Sequence, residues 1–205
     1  MELSQAPAWP LPWHAQSVLL GTSRLALRRF HPADVDVFQL YRSDSDVARY
    51  QSWTAPVSHE DAVSLVRQFA AGDPTQPGWF QYAIELRSTG MLIGDIGVHL
   101  HDNRRQAELG FTIAQEHQGQ GYATEAVLAV LAGLFGRGLH RVSAECDARN
   151  QRCARLLQRV GFQLEGHRLA HTWIKDEWTD DLLFGLLSDR WKVLSGPGIS
   201  VEYRS

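Results

Sequence analysis

The residues Gln118-Gly119-Gln120-Gly121-Tyr122-Ala123-Thr124 come closest to carrying chemistry in this sequence. Two glycines two apart permit a tight turn and let a ligand approach the backbone. A strongly amphipathic helix is predicted directly after them, with Val127, Val130, Leu131, Leu134 and Phe135 at i, i+3, i+4, i+7 and i+8. The first N–H groups of a helix have no partner within it and carry partial positive charge, so such a start attracts phosphate oxygens. The competing reading is a glycine-rich connector with Thr124 in the first helical turn, since short glycine loops are common.

Three phosphate-binding schemes compete for the loop. A P-loop needs Lys-Ser/Thr after its second glycine, and Tyr122-Ala123 follows Gly121 instead. A dinucleotide fingerprint needs a third small residue and an acid about 20 residues on. Glu145 suits the acid, but Thr124 holds the small position and hairpin strands precede the loop. The third scheme cradles the pyrophosphate of coenzyme A.

A second constellation supports the third scheme. Asn150-Gln151-Arg152-Cys153-Ala154-Arg155-Leu156-Leu157 through Val160-Gly161-Phe162 follows the next expected strand. Together the two segments resemble the Gcn5-related N-acetyltransferase (GNAT) family, with its Q/R-x-x-G-x-G/A loop and its N-x-x-S/A…G-F helix. The wording of Ala107–Phe111, Gly121–Ala126 and Gly161–Gly166, with Trp178-Thr179-Asp180-Asp181 later on, is most similar to the RimJ/RimL ribosomal-protein alanine N-acetyltransferase branch. The resemblance spans roughly Arg24 to Trp191. It implies acetyl transfer from acetyl-CoA directly to a primary amine, with a protein or peptide N-terminal α-amine as the expected acceptor and a small-molecule amine as the alternative. Among small molecules it allows an aminoglycoside, a polyamine or an amino acid, and a non-catalytic acyl-CoA-binding module is the alternative of a different class. The resemblance further implies that backbone N–H groups from Gln118 through Thr124 (Gln118, Gly119, Gln120, Gly121, Tyr122, Ala123, Thr124) hold the pyrophosphate. Main chain of Thr112 and Ile113, at a splayed strand end, would pair with the pantetheine arm and polarise the thioester carbonyl. Asn150 would contact that arm while capping its helix.

Acetyl transfer needs a neutral amine. An α-amine with a pKa of about 7.7–8.0 is roughly a tenth neutral at pH 7, whereas lysine near 10.4 is neutral about four times in ten thousand. A protein N-terminus therefore needs little help from a base. Glu108 is the leading candidate base: strand alternation places Glu108, Gly110 and Thr112 on one face, opposite Leu109, Phe111 and Ile113. Its plain alternative is a solvent-facing carboxylate. Cys153 stands where the Rim branch usually has serine, viewed as proton donor to the departing thiolate; its position on an apolar stripe also suits simple packing. The tyrosine many family members place four residues further on is Leu157 here. His99 and His101 point the same way on a strand, but no third metal ligand is apparent and the resemblance implies no metal. His117 and His171 read as exposed loop residues near ligand positions. Trp53, Trp79, Tyr82 and Trp173 suit a cleft or a core, and Asp176, Glu177, Asp180 and Asp181 read as a solvated hairpin turn.

These groups must be positioned by a mixed α/β framework. Strands are expected at Arg24–Phe30, Trp79–Arg87, Met91–Leu100, Gln106–Ile113, Arg141–Cys146, Gln163–Thr172 and Trp178–Leu187. A Ser58/Asp61 capping pair opens a helix with Ala62, Leu65, Val66 and Phe69, and Gly161 is a C-cap. The expected fold is α/β: a GNAT-like mixed, mostly antiparallel sheet flanked by helices in a single domain over 24–192. An N-terminal extended arm (1–23) and a C-terminal tail (193–205) would flank it. The 205 residues allow one embellished domain at about 150 per domain.

Composition excludes other classes. Apolar residues at 44% and charged ones at 21% rule out a disordered chain. Twenty basic against 23 acidic residues leave −3, so no direct nucleic-acid binding is expected. The longest uncharged apolar run, Ala126–Gly136, is 11 residues, against about 20 for a bilayer span, so no membrane partner is expected. Two cysteines outside any CxxC pair, and no secretory signal in residues 1–23, point to a cytoplasmic protein with reduced thiols. A homodimer is compatible with the sequence, which does not fix the oligomeric state.

Overall fold

The computed structural model describes residues 18–195 and 202–203. Strands β1 (Val18–Gly21) and β2 (Leu25–Arg28) pair antiparallel, so the sheet begins inside the segment expected as an arm. Trp9, Trp13 and Gly196–Gly198 lie outside the described residues. A short 3-10 turn at Pro32–Asp34 leads into α1 (Val35–Arg42), followed by α2 (Ser45–Ala48) and α3 (His59–Ala71). The α3 start is the expected capping pair: Ser58 Oγ accepts from the Asp61 N–H at 3.0 Å and donates to its carboxylate at 2.6 Å.

Strands β3 (Gly78–Leu86), β4 (Met91–Leu100) and β5 (Gln106–Ile113) form an antiparallel meander. Helix α4 (Tyr122–Gly136) then crosses over to β6 (Arg141–Asp147), and α5 (Gln151–Arg159) leads to the hairpin of β7 (Gln163–Ile174) and β8 (Glu177–Leu187). Helix α6 (Ser188–Ser195) and a two-residue β9 (Glu202–Tyr203) follow, β9 pairing with β1. Among the described residues, nine strands form one sheet in the order β7-β8-β6-β5-β4-β3-β2-β1-β9, antiparallel except at β5–β6.

Each face of the sheet has its own core. One is built on Phe30, Phe38, Tyr41 and Val66 of the α1–α3 layer with Ala83 and Leu92. The other joins α4 and α5 to Ile84, Ile96, Leu109, Val142 and Leu186. Helix α4 differs from the expected amphipathic pattern. Ala126, Val127, Ala129, Val130, Leu131, Gly133 and Leu134 are all buried, and Glu125 is its one charged residue. A helix apolar on most sides is a core element, and each fully buried Val or Leu contributes about 1.5–3 kcal/mol. That burial fixes the helix start, and with it the glycine loop. No helix among the described residues is long and apolar enough to cross a membrane.

Candidate functional site

Strands β5 and β6 are partners only between Gln106–Glu108 and Arg141–Ser143. Beyond that point β5 stays with β4 through Ile113, and β6 stays with β8 through Asp147. The two strands therefore diverge as supported arms of a V rather than as frayed ends. The Ala114 N–H donates to the Ile93 carbonyl at 2.9 Å, so the antiparallel alternation turns the peptide groups of Thr112 toward β4 and those of Phe111 and Ile113 into the gap. The expected Thr112–Ile113 pair is thus divided. Thr112 is committed to the sheet, and the Ile113 carbonyl accepts the Gln118 side-chain amide at 3.0 Å. The Ile113 N–H and the Phe111 peptide groups face the V, a placement only the register reveals.

The glycine loop opens beside the V. Gly119 and Gly121 have φ of +76° and +83°, the left-handed region that favours glycine. Gly121 is the N-cap of α4, and no side chain caps that helix end. Glu125, well placed to lie across its own helix start, is instead held by Thr22 and by Arg24, whose backbone N–H and Nε donate at 3.1 and 2.6 Å. Burial alone would raise the Glu125 carboxyl, but these hydrogen bonds hold it below the usual carboxylate range. The negative charge is drawn away from the loop, and the first-turn amides stay available to an anion.

A cleft of about 700 Å³ runs from this loop to the β5 arm and α5. Gln118, Gly119, Gly121, Tyr122, Ala123 and Thr124 line it, as do Thr112, Ile113, Asn150 and Cys153. Gln120 does not: its carbonyl accepts from Arg24 at 3.1 Å, and its side chain donates to the Glu116 carbonyl at 3.0 Å. Asn150 caps α5 by accepting the Cys153 N–H at 3.1 Å. At the other end Gly161, at φ +107°, donates to the Gln158 carbonyl while the Phe162 N–H reaches Leu157, a Schellman stop. Arg152, Arg155 and Arg159 also line the cleft. The sequence reading passed over them, although their i, i+3, i+7 spacing marks one helical face. Three cations thus share one cleft with the uncapped amides, which gives it a positive character.

A sheet parted between a parallel strand pair, with an uncapped glycine loop beside the gap, is the arrangement that comparison with known proteins places in a family. The acetyltransferase (GNAT) domain model matches residues 24–163. The chain belongs to this family. It is 37% identical over 150 residues to the uncharacterized N-acetyltransferase YoaA of Bacillus subtilis, covering 72% of this chain and 84% of that one. It is 33% identical over 84 residues to the ribosomal protein uS5-alanine N-acetyltransferase of Escherichia coli, covering 40% and 43%. Among solved structures, a GNAT acetyltransferase from Bacillus anthracis superposes with a TM-score of 0.76 at 26% identity, over 83% of this chain and 99% of that one. A spermidine N-acetyltransferase from Vibrio cholerae, solved with CoA and spermine, superposes at 0.72 with 22% identity over 83% and 99%. The protein is an acetyl-CoA-dependent N-acetyltransferase of the GNAT family, with a single-domain α/β fold.

Within this GNAT framework, the two expected catalytic side chains lie on opposite faces of the sheet. Glu108 stands opposite His99 and Ser143 at the last paired residue of the V, half-buried on the α1–α3 side and outside the cleft. Cys153 lines the cleft on the α5 side, its thiol raised by contact with Cys146 and by burial, so it is protonated at neutral pH. His99 and His101 sit with rings 5.2 Å apart, and among the described residues no third His, Cys, Asp or Glu joins them at metal-binding distance. Tyr82 belongs to the core, Trp53 donates to the Arg42 carbonyl, and Trp79 is exposed and stacked on His99. Trp173 is exposed against Trp178. His117 lines the cleft.

Of the hairpin acids, Asp181 departs most from the solvated turn that the sequence suggests, while Asp176 and Glu177 are exposed. Asp181 is buried, with His171 Nδ1 at 2.9 Å and Thr172 Oγ1 at 2.6 Å. Asp180 holds the Ala170 N–H at 2.7 Å, where the β7 bulge forces Ala170 to positive φ. Glu177 pairs with Arg149 at 2.8 Å, and Lys175 Nζ reaches the Ala48 and Arg49 carbonyls. Asp176, at φ +62°, keeps the expected exposed turn position.

Proposed function

We propose that the protein moves the acetyl group of acetyl-CoA to the α-amine of a protein or peptide N-terminus. One observation carries this reading: an uncapped, left-handed glycine loop, an arginine-lined cleft and the open peptide groups of a parted strand pair form a single continuous path. In this reading the α4 amides hold the diphosphate, with Arg152, Arg155 and Arg159 neutralising phosphate charge. The Ile113 N–H and the Phe111 peptide groups guide the arm into the V. The amine attacks the thioester carbonyl from the α1–α3 side, because α4, α5 and the coenzyme occupy the other. The C–N bond forms, the C–S bond breaks, and the thiolate leaves with a proton. Glu108 receives a proton from the nitrogen through water, and Cys153, kept neutral, is within the cleft to supply one to sulfur. Asn150 both caps α5 and borders the arm.

The α-amine acceptor is supported by the partial similarity to the uS5-alanine enzyme and by the light demand an α-amine places on a base. The test is free-thiol release from acetyl-CoA with an alanine- or serine-initiated peptide, a polyamine and an aminoglycoside. Release with the peptide above the others supports the proposal. Release with the polyamine or aminoglycoside alone transfers the activity to small amines, and tight CoA binding without release makes the protein a binding module.

A further inference from the structure

An ammonium that becomes an amide sheds two protons from its nitrogen, and Glu108 accounts for one. The α1–α3 face of the V carries a second group of titratable side chains. Ser143 and Glu145 alternate with buried Ala144 along β6, so Glu145 shares the face of Glu108, on the opposite arm of the V. Its carboxylate, the His171 imidazole and the Asp181 carboxylate all bring an oxygen or nitrogen within 4.8 Å of one another. Asp181, 5% exposed, accepts from His171 at 2.9 Å and from Thr172 at 2.6 Å. A carboxylate only accepts, so the proton of a neutral His171 sits on Nδ1 and the lone pair on Nε2. Toward that lone pair lies one nitrogen cation. Arg168 Nη1 is 3.4 Å from His171 Nε2 and 3.7 Å from Glu145 Oε2. Its side chain is half-exposed and both contacts are long, so another cation displaces it at small cost. Arg168 supplies the positive charge that these three groups would otherwise attract.

Resting on the acetyl-transfer reading, we propose that Glu145 and His171 form the seat of the acceptor's ammonium, with His171 Nε2 taking its first proton and buried Asp181 as the positioning residue. Arg168 fills the seat in the free enzyme. The incoming R–NH3+ displaces the guanidinium and passes one proton to Nε2. The neutral amine attacks the acetyl carbonyl, the C–N bond forms as the C–S bond breaks, and the second proton leaves the nitrogen through the Glu108 water. Sulfur departs as the thiol, and the imidazolium returns its proton to solvent. Net, R–NH3+ and acetyl-CoA give the amide, CoA thiol and one proton. Burial and the neighbouring Asp181 raise the Glu145 carboxyl, while Arg168 and His171 oppose them and Glu108 adds to the rise. An added cation at the seat is therefore favourable.

The test compares pH profiles of kcat/KM for wild type and His171→Gln with an alanine-initiated peptide. Glutamine still donates to Asp181 but does not titrate. Wild type is expected to level off below the amine's own pKa of about 7.7–8.0. The variant should climb until that value, with a loss on the order of tenfold at pH 6.5 that vanishes by pH 9. Asp181→Asn should shift the same limb, and Arg168→Met should lower the peptide KM several-fold without lowering kcat. Superimposable profiles for wild type and His171→Gln overturn the base, and an unchanged or raised KM in Arg168→Met overturns the seat. A variant that fails to bind CoA or melts early is replaced in the test by Asp181→Asn. Absence of thiol release from wild type with any amine would instead sink the acetyl-transfer reading, leaving a different signature from identical profiles in an active enzyme.

Discussion

The two faces of the parted sheet are built from different materials. On the α4–α5 side the proposed recognition groups are largely backbone: first-turn amides, two left-handed glycines and strand peptide groups, backed by three arginines on one helical face. On the α1–α3 side they are side chains from four strands: Glu108 of β5, Glu145 of β6, and the His171–Asp181 pair spanning β7 and β8. Backbone donors cannot be replaced one at a time by mutation and hold any diphosphate alike. Side chains can be exchanged singly. The difference teaches where variation is free: the proposed donor side is fixed by local chain geometry, and the proposed acceptor side can be retuned.

The comparison is broken most severely on the backbone side. Gly121→Glu forces a side chain onto φ +83° and sets a carboxylate among the amides. Calorimetry with CoA should show affinity reduced by about 100-fold or more, roughly 3 kcal/mol, in a protein of unchanged circular dichroism. Undiminished affinity would move the diphosphate elsewhere. Replacing Arg152, Arg155 and Arg159 together with Gln should weaken CoA by about tenfold and flatten the salt dependence of binding, since these are solvent-screened contacts. Equal salt dependence in the two proteins would take the arginines out of the site.

On the side-chain face, Glu108→Gln should reduce kcat/KM by about tenfold, and the loss should persist above the amine's pKa, because the proton Glu108 receives leaves the nitrogen only as the amide forms. A loss that vanishes above the amine's pKa would instead make Glu108 the base for the first proton, the role given to His171. Cys153→Ala should have the smallest effect, within about threefold in kcat, because a CoA thiolate is already a fair leaving group. A loss of a hundredfold would make the thiol the general acid. Stability adds a pH arm. Glu125 is held below its ordinary range, so its contribution is complete above the unfolded pKa and is lost as pH falls through the lower folded value. Glu125→Gln should therefore flatten the acid side of the melting-temperature profile, and an unaltered acid limb would show that the Thr22–Arg24 tether does not steady the loop.

Much of the donor side was legible because its signals are local. The Gln118–Thr124 loop, the Asn150 cap and the Gly161 stop are each read from a few neighbouring residues, and all three appear where the spacing put them. The helix after the loop was misjudged in character. Its apolar residues repeat at 3.6, but alanines and a glycine fill the intervening faces, and burial on most sides became visible only with neighbours in place. Asp181 was read as a turn residue because a bulge in β7 carries His171 over it, and bulges leave no dependable mark in a single sequence.

The sequence by itself determined local geometry: where the glycine turn lies, where helices start and stop, and that an anion-seeking helix end follows β5. Those follow from backbone sterics and capping, which act over a few residues. Only the tertiary structure decided that β5 and β6 part after Glu108, which peptide groups then face the gap, and that Glu145, His171 and Asp181 meet beside it. Pairing between strands as distant in sequence as β5 and β6 depends on packing summed over the whole sheet, and no single stretch of chain encodes it.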